Sequence, residues 1–192
     1  MNILHSSFKT LFARDMVIKM NYGSCLDLAK VKKATLQYTS KYVVEEPKQS
    51  FLACVAFQLI TQQTPRIIHA KQSVAAFKLK EHQVVGCIVT LRRDNMYEFL
   101  QNVIYTHLPQ NTYFTPIQVS KTQPNVHFGL SQVLFFSELE KHVNIFESLD
   151  GCAVQLYTTA KTPIETLLIC SALKLPVESM GGIKKQDSYG TS

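Results

Sequence analysis

Between Gln62 and Arg93 the chain reads QQTPRIIHAKQSVAAFKLKEHQVVGCIVTLRR, where Arg66, Lys71, Lys78, Lys80, Arg92 and Arg93 stand against one carboxylate, Glu81. Ions taken out of water without partners are expensive to bury, so a stretch of one sign this long has to be laid out on a surface. Its charge selects a polyanion as partner. The pattern divides it into two candidate strands, 66–72 and 84–91, joined by residues 73–83. Chain reversal in a hairpin takes about two to five residues, and this connection is eleven long. It is therefore expected to project from the sheet as a probe, with Lys78 and Lys80 near its tip.

The charge balance elsewhere sharpens that placement. The 192 residues carry 20 Lys and Arg against 14 Asp and Glu, a net charge of +6. Residues 1–110 hold 14 basic and 7 acidic side chains and residues 111–192 hold 6 and 7, so the binding face is expected in the first part. An apolar fraction of 46% beside 18% charged residues is a folding composition. The length suits one domain, assigned to residues 1–176, with a frayed tail over 177–192. Cys25, Cys54, Cys87, Cys152 and Cys170 are odd in number, widely spaced and set among apolar residues, which favours reduced core thiols over a disulfide framework. No C-x-x-C pair occurs, and His69, His82 and Cys87 lack zinc spacing, so neither metal nor cofactor is expected. The longest apolar run, FLACVAFQLI, is ten residues, about half a membrane span, and no membrane partner is expected. Positions 1–13, weakly basic and Ser-containing, read equally as a short mitochondrial presequence and as the opening of the first helix.

Along the chain, Ser6 or Ser7 can cap a helix carrying Phe8, Leu11, Phe12 and Met16 that Gly23 would stop. Residues 31–38 alternate, with Ala34, Leu36 and Tyr38 on one side and Lys33, Thr35 and Gln37 on the other. Pro47 opens a core helix with Phe51, Leu52, Val55 and Leu59 on its apolar stripe. After the long hairpin, Asp94 is placed to cap a third helix with Tyr97, Leu100 and Ile104 on one face until Pro109. Residues 109–125 read as a surface excursion and 126–136 as a strand. The segment 137–151, with Glu138, Glu140, Glu147 and Asp150, reads as a short helix and turn facing water or a basic protein. A strand over 152–158 precedes Thr162, Pro163 and Glu165, a capping box with proline at the first helical position. Strand runs interleaved with helices predict an α+β fold, a mostly antiparallel sheet with helices packed on one face and a long basic hairpin loop.

Several stretches carry a family resemblance. LITQQTPRIIHAKQSVAAFKLK and VVGCIVTLRRDNMYEFL, together with RDMVIKMNYGSCLDLAKVKKATLQY, HFGLSQVLFF and LDGCAVQLYTTAKTPIETLLICSALKLP, resemble the large-subunit ribosomal protein five family of bacteria and organelles. About nine tenths of the chain is covered. The departures are Gln62 for the glycine of a TGQ turn, Arg66 and Ile68 after the proline, and His69 and Gln72 where basic residues are common. They favour an organellar, mitochondrial member over another organellar or a bacterial one. The resemblance implies a structural, non-catalytic protein of the large ribosomal subunit that binds 5S rRNA and large-subunit rRNA in the central protuberance. It also implies contact with neighbouring central-protuberance proteins, a loop approaching peptidyl-site tRNA, and a bridge to a small-subunit head protein. In similar proteins an Asn, a Gln and a Thr recognise 5S RNA; Gln63 and Thr90 match directly, and Gln37 stands for the Asn. A glycine common at the tip of the loop is absent, which predicts a stiffer or displaced turn.

Read from the residues, Gln37, Gln63, Thr64 and Thr90 offer uncharged hydrogen-bonding groups to sugars, phosphates and base edges, while Arg66, Lys71, Ser73 and Arg92 supply phosphate contacts. Lys78, Leu79, Lys80, Glu81, His82 and Gln83 form the loop expected at tRNA, and Phe77 and Leu79 are expected to brace its stem. Tyr38 and Phe77 are the aromatics available for stacking. A thiol centre of Cys87 with His69 or His82, or a serine centre of Ser73 with Lys71, lacks an orienting third residue and a glycine-rich oxyanion turn. A free-standing RNA-binding or RNA-chaperone protein shares the basic sheet but needs no further surfaces such as 109–125 and 137–151.

Overall fold

Alternation over residues 31–39 produces the central strand, β1 (Val31–Thr39), with Ala34, Leu36 and Tyr38 fully buried and Lys33, Thr35 and Gln37 on the opposite side. The computed structural model describes residues 12–20, 22, 24–40, 43, 46, 48–111, 116–119 and 124–178. β1 pairs antiparallel with β3 (Val84–Leu91) on one side and with β6 (Cys152–Thr158) on the other. β2 (Arg66–His69) adds outside β3 and β5 (Val126–Leu130) outside β6, giving the five-stranded antiparallel order β2-β3-β1-β6-β5. A two-residue parallel pair, β4 (Ile117–Gln118) with β7 (Val177–Glu178), is tied to the β5 edge by a bridge between Val119 and Val126. Gly86 lies against the carbonyl of Tyr38 so closely that a Cβ there would collide with it, and this lets β3 approach the central strand.

One side of the sheet is sealed. α2 (Lys48–Thr61) packs on β3, and α3 (Arg93–Asn102) packs on β1 and on α2. α4 (Val143–Phe146) packs on α2, and α1 (Ala13–Met20) meets α5 (Pro163–Ala172). Phe57, Phe99, Phe136, Leu100 and Met96 fill the layer between, each with almost no exposed surface. α5 opens on the expected capping box: Glu165 N–H donates to Thr162 Oγ1 at 3.3 Å, and Glu165 Oε2 accepts from Thr162 N–H at 3.5 Å and from Lys161 N–H at 2.7 Å. The α+β architecture expected from the pattern is therefore present, with its helices on one face.

Several local expectations are corrected. The buried stripe of α2 is Ser50, Ala53, Ala56, Phe57, Ile60 and Thr61, so Phe51 and Leu59 are exposed; small residues allow the helix to lie close on β3. The strand expected over 66–72 ends at His69 with a register shift, and the one expected over 126–136 ends at Leu130, followed by a 3-10 turn at Val133–Phe135. Asp94 is inside the first turn of α3, whose N-cap is Arg92 without a side-chain cap. Within the excursion 109–125, Ile117 and Val119 are buried and Ile117 pairs with Val177, which also places Val177 and Glu178 in the fold past the expected start of the tail. Ser6, Ser7, Gly23, Pro47 and residues 179–192 lie outside the described residues.

α3 runs on through a π-turn, Val103–His107, that delivers a fully buried imidazole to the core. His107 Nε2–H donates to the Gln132 carbonyl at 2.7 Å, and the ring packs at 5.1 Å from Phe136 and edge-on at 5.5 Å from Phe135. Burial holds its pKa below the ordinary 6.5. The folded state thus keeps a neutral imidazole while the unfolded chain protonates near that value, so this contribution to stability is complete above it and lost as pH falls through it. Urea midpoints at pH 7.5 and 5.5 should differ more for the native chain than for His107→Phe. An equal pH dependence in both would remove His107 as its source.

Candidate nucleic-acid interface

The register of the sheet aligns the polar side chains left outside the core. Gln37 on β1 is opposite Ile88 on β3, which is opposite Arg66 on β2, while Thr35 is opposite both Thr90 on β3 and Gln155 on β6. Because side chains on one face recur every second residue, Arg66, Thr90, Thr35, Gln37, Gln155 and His127 all stand on the side away from the helices. Arg66, Thr90 and Arg92 are exposed and Gln37 is half-buried. Arg92 extends from the end of β3 in an extended conformation, and among the described residues Arg66, Lys71, Lys78, Lys80 and Arg92 make no ion pair. Their charge is directed to solvent.

Gln63 and Thr64 are held at the entry to β2. Thr61 Oγ1 donates to the Phe57 carbonyl at 2.6 Å and lies 3.4 Å from Gln63 N, while Gln62 adopts φ 55°, the left-handed turn that glycine favours. Gln63 is half-buried there and Thr64 exposed. Of the residues expected to meet RNA, Gln37, Thr90, Arg66 and Arg92 thus share one surface, with Gln63 and Thr64 at its corner.

The loop is more ordered than its length suggests. Ala70 and Gln83 continue the ladder through Ala70 N–H to the Gln83 carbonyl at 2.9 Å and His82 N–H to the Ala70 carbonyl at 3.0 Å. Val74 and Leu79 exchange two further backbone bonds at 3.0 and 3.1 Å. Reversal therefore falls at residues 75–78, with Lys78 in the left-handed region at φ 52° where no glycine is available. This corrects the expectation of a tip at 78–83: Lys80, Glu81, His82 and Gln83 are on the return arm, where Lys80 N–H donates to Gln83 Oε1 at 3.1 Å. His69 Nδ1 lies 3.1 Å from the His82 carbonyl, bracing the arm against β2. Phe77 does not brace the stem; it is 75% exposed, beside Lys78. Lys71 and Ser73 are exposed on the outgoing arm. Tyr38, fully buried, is removed from the stacking residues.

Sequence reasoning missed the far half of the open face. Lys33 Nζ sits 4.1 Å from the Tyr157 ring centre, Tyr157 O–H donates to Gln155 Oε1 at 2.8 Å, and Gln155 Nε2 reaches His127 Nε2 at 3.4 Å. The signal was present in the alternation of β6, whose buried Val154 and Leu156 leave Gln155 and Tyr157 on the other side.

The nucleophile readings lose their chemistry. Burial is the main cause that pushes the Cys87 thiol far above its ordinary 9.0, and it raises Cys152 and Cys170 to about 12. Among the described residues no cluster of His, Cys, Asp and Glu could hold a metal ion, and no helix is long and apolar enough to cross a membrane.

A sheet with one face sealed by helices and the other presenting hydroxyls, carboxamides and unpaired cations defines a basic, open-faced α+β protein. The family model that describes the C-terminus of the ribosomal large-subunit protein five family matches residues 84–177. The chain is 30% identical over 179 residues to the large ribosomal subunit protein uL5m of Reclinomonas americana, covering 92% of this chain and 98% of that protein. It is 29% identical over 178 residues to uL5 of Nitrosomonas eutropha (92% and 98%), and 30% identical over 175 residues to uL5 of Neisseria meningitidis (90% and 97%). The chain belongs to the uL5 family of ribosomal proteins.

Native protein at pH 8 should react with a thiol-specific disulfide reagent at Cys87, Cys152 and Cys170 only as fast as it unfolds, because the attacking species is the thiolate. Rapid labelling of Cys87 in the folded state would contradict this account of its environment.

Proposed function

We propose that the chain is a structural, non-catalytic constituent of the large ribosomal subunit that binds ribosomal RNA across the open face of its sheet. The observation that carries this is the row Arg66, Ile88, Gln37 with Thr90 and Thr35 beside it, on a face no helix covers and in a family whose named members are large-subunit proteins. Arg66, Lys71, Ser73 and Arg92 serve phosphates, whose neutralisation releases counterions. Gln37, Gln63, Thr64 and Thr90 serve sugars and base edges. The matches of Gln63 and Thr90 to the family's recognition positions make 5S rRNA, with nearby large-subunit rRNA, the partner. Neighbouring central-protuberance proteins and a small-subunit head protein account for the acidic segment with Glu138, Glu140, Glu147 and Asp150. The likeness to a uL5m protein and the drifted turn at Gln62 favour a mitochondrial ribosome.

The loop is assigned to peptidyl-site tRNA. Its arms are paired back to Val74 and Leu79, so Phe77 and Lys78 are held away from the sheet, with Lys80, Glu81, His82 and Gln83 along the return arm. A ribosome map with the peptidyl site occupied should place residues 77–83 against the tRNA backbone; their separation by more than one bridging water would end this assignment.

Salt dependence separates the two kinds of contact. Lys71→Ala should weaken rRNA binding and flatten its logarithmic salt slope by roughly one unit. Thr90→Val, which keeps shape and strand preference, should cost about 1–3 kcal/mol against cognate RNA with the slope unchanged. Equal losses of the Thr90 variant on unrelated RNA would remove Thr90 from specific recognition.

A further inference from the structure

The open face is not uniform. Between β1, β6 and β5 it sinks into a depression of about 330 Å³, within the size of small-ligand sites. Its rim carries Gln37, Gln155 and His127, and its floor is cleared by the small residues Ala153 and Gly129. A Cβ built on Gly129 would meet nothing within 4 Å, so the space belongs to no neighbouring side chain. Thr35 opens into the same depression; it is only 7% exposed, and its Oγ1 has no hydrogen-bond partner among the described residues. A buried hydroxyl without a partner costs stability unless something supplies one. Gln155, by contrast, is held in place by Tyr157 on one side and His127 on the other.

We infer that this depression is a nucleobase subsite, separate from the phosphate-binding strands β2 and β3, that takes one unstacked adenine of the bound RNA. The inference rests on the RNA-binding reading above and adds to it a ligand of defined chemistry. A planar base enters over the backbone of Gly129 and Ala153, where no side chain obstructs it. Thr35 Oγ1 donates to a ring nitrogen or accepts from an exocyclic amine, which satisfies its own missing bond. The Gln37 carboxamide offers one donor and one acceptor side by side, the pattern that pairs with the amine and ring nitrogen of adenine. No lysine or arginine lines the depression, so this contact adds base preference without counterion release.

The test uses the full chain with fluorescent oligoadenylate and oligouridylate of about eight nucleotides, titrated at several salt concentrations. The two probes carry equal charge, so a difference between them reports the bases. The native chain should prefer oligoadenylate about ten-fold. Thr35→Val and Gly129→Val should each weaken oligoadenylate by about five-fold or more, the scale of one lost hydrogen bond, and leave oligouridylate and both salt slopes unchanged. Gly129→Val adds a β-branched residue on an edge strand where it meets no clash, so it keeps the test intact if Thr35→Val unfolds. Equal affinity for the two probes, or an adenine preference that survives both substitutions while RNA still binds, overturns the subsite and leaves the RNA-binding reading standing. Failure of the native chain to bind either probe or ribosomal RNA overturns both.

Discussion

The structure depends on a strand with two incompatible sides. Ala34, Leu36 and Tyr38 have to leave water, whereas Lys33, Thr35 and Gln37 would lose hydration for nothing if the helices covered them too. Period-two geometry forces these sets onto opposite faces, and a slip of one residue in pairing would exchange them. Every other strand then inherits the division through the register: Cys87 and Val89 beside the core, Ile88 and Thr90 away from it, Val154 and Leu156 inward, Gln155 and Tyr157 outward. The open face is thus a consequence of how the core is built. Its polar side chains are positioned by a rigid sheet and need no reorganisation to meet a ligand.

Electrostatics then divides that face. Cations lie toward β2, β3 and their hairpin, while the β1, β6 and β5 side carries hydroxyl, carboxamide and imidazole groups with Lys33 at its margin. An extended polyanion can be held by the first half without any choice of sequence, and neutral groups on the second half discriminate among bases at no cost in salt sensitivity. The hairpin extends the basic half outward. Its backbone pairing through Ala70, Gln83, Val74 and Leu79 keeps a long connection from collapsing onto the sheet.

Legibility in the sequence followed the strength of the periodic signal. The alternation in β1 and β6 and the box at Thr162, Pro163 and Glu165 were clear because each rests on local geometry alone. The stripe of α2 was misread because hydrophobicity ranks Phe51 and Leu59 above Ala53 and Ala56, yet close packing on β3 selects small side chains. The turn at residues 75–78 was displaced from the expected tip because cross-strand bonds between Val74 and Leu79 outweigh the charge pattern that drew attention to Lys80 and His82. Of the open face, the half marked by cations was legible and the half marked by Thr35, Gln155 and His127 was not. Neutral polar residues look alike in any solvent-facing strand, and only the register showed that three strands bring these together.

The most direct measurement is ultraviolet crosslinking of the chain within intact large ribosomal subunits, followed by mass spectrometry of the nucleotide-bearing peptides. A two-faced sheet with RNA on its open side predicts adducts on Lys33, Arg66, Tyr157 and the hairpin arms around Lys71 and Lys78. Adducts confined to the helical side, at Phe51, Tyr105 or Lys141, with the open face unmodified, would contradict the account.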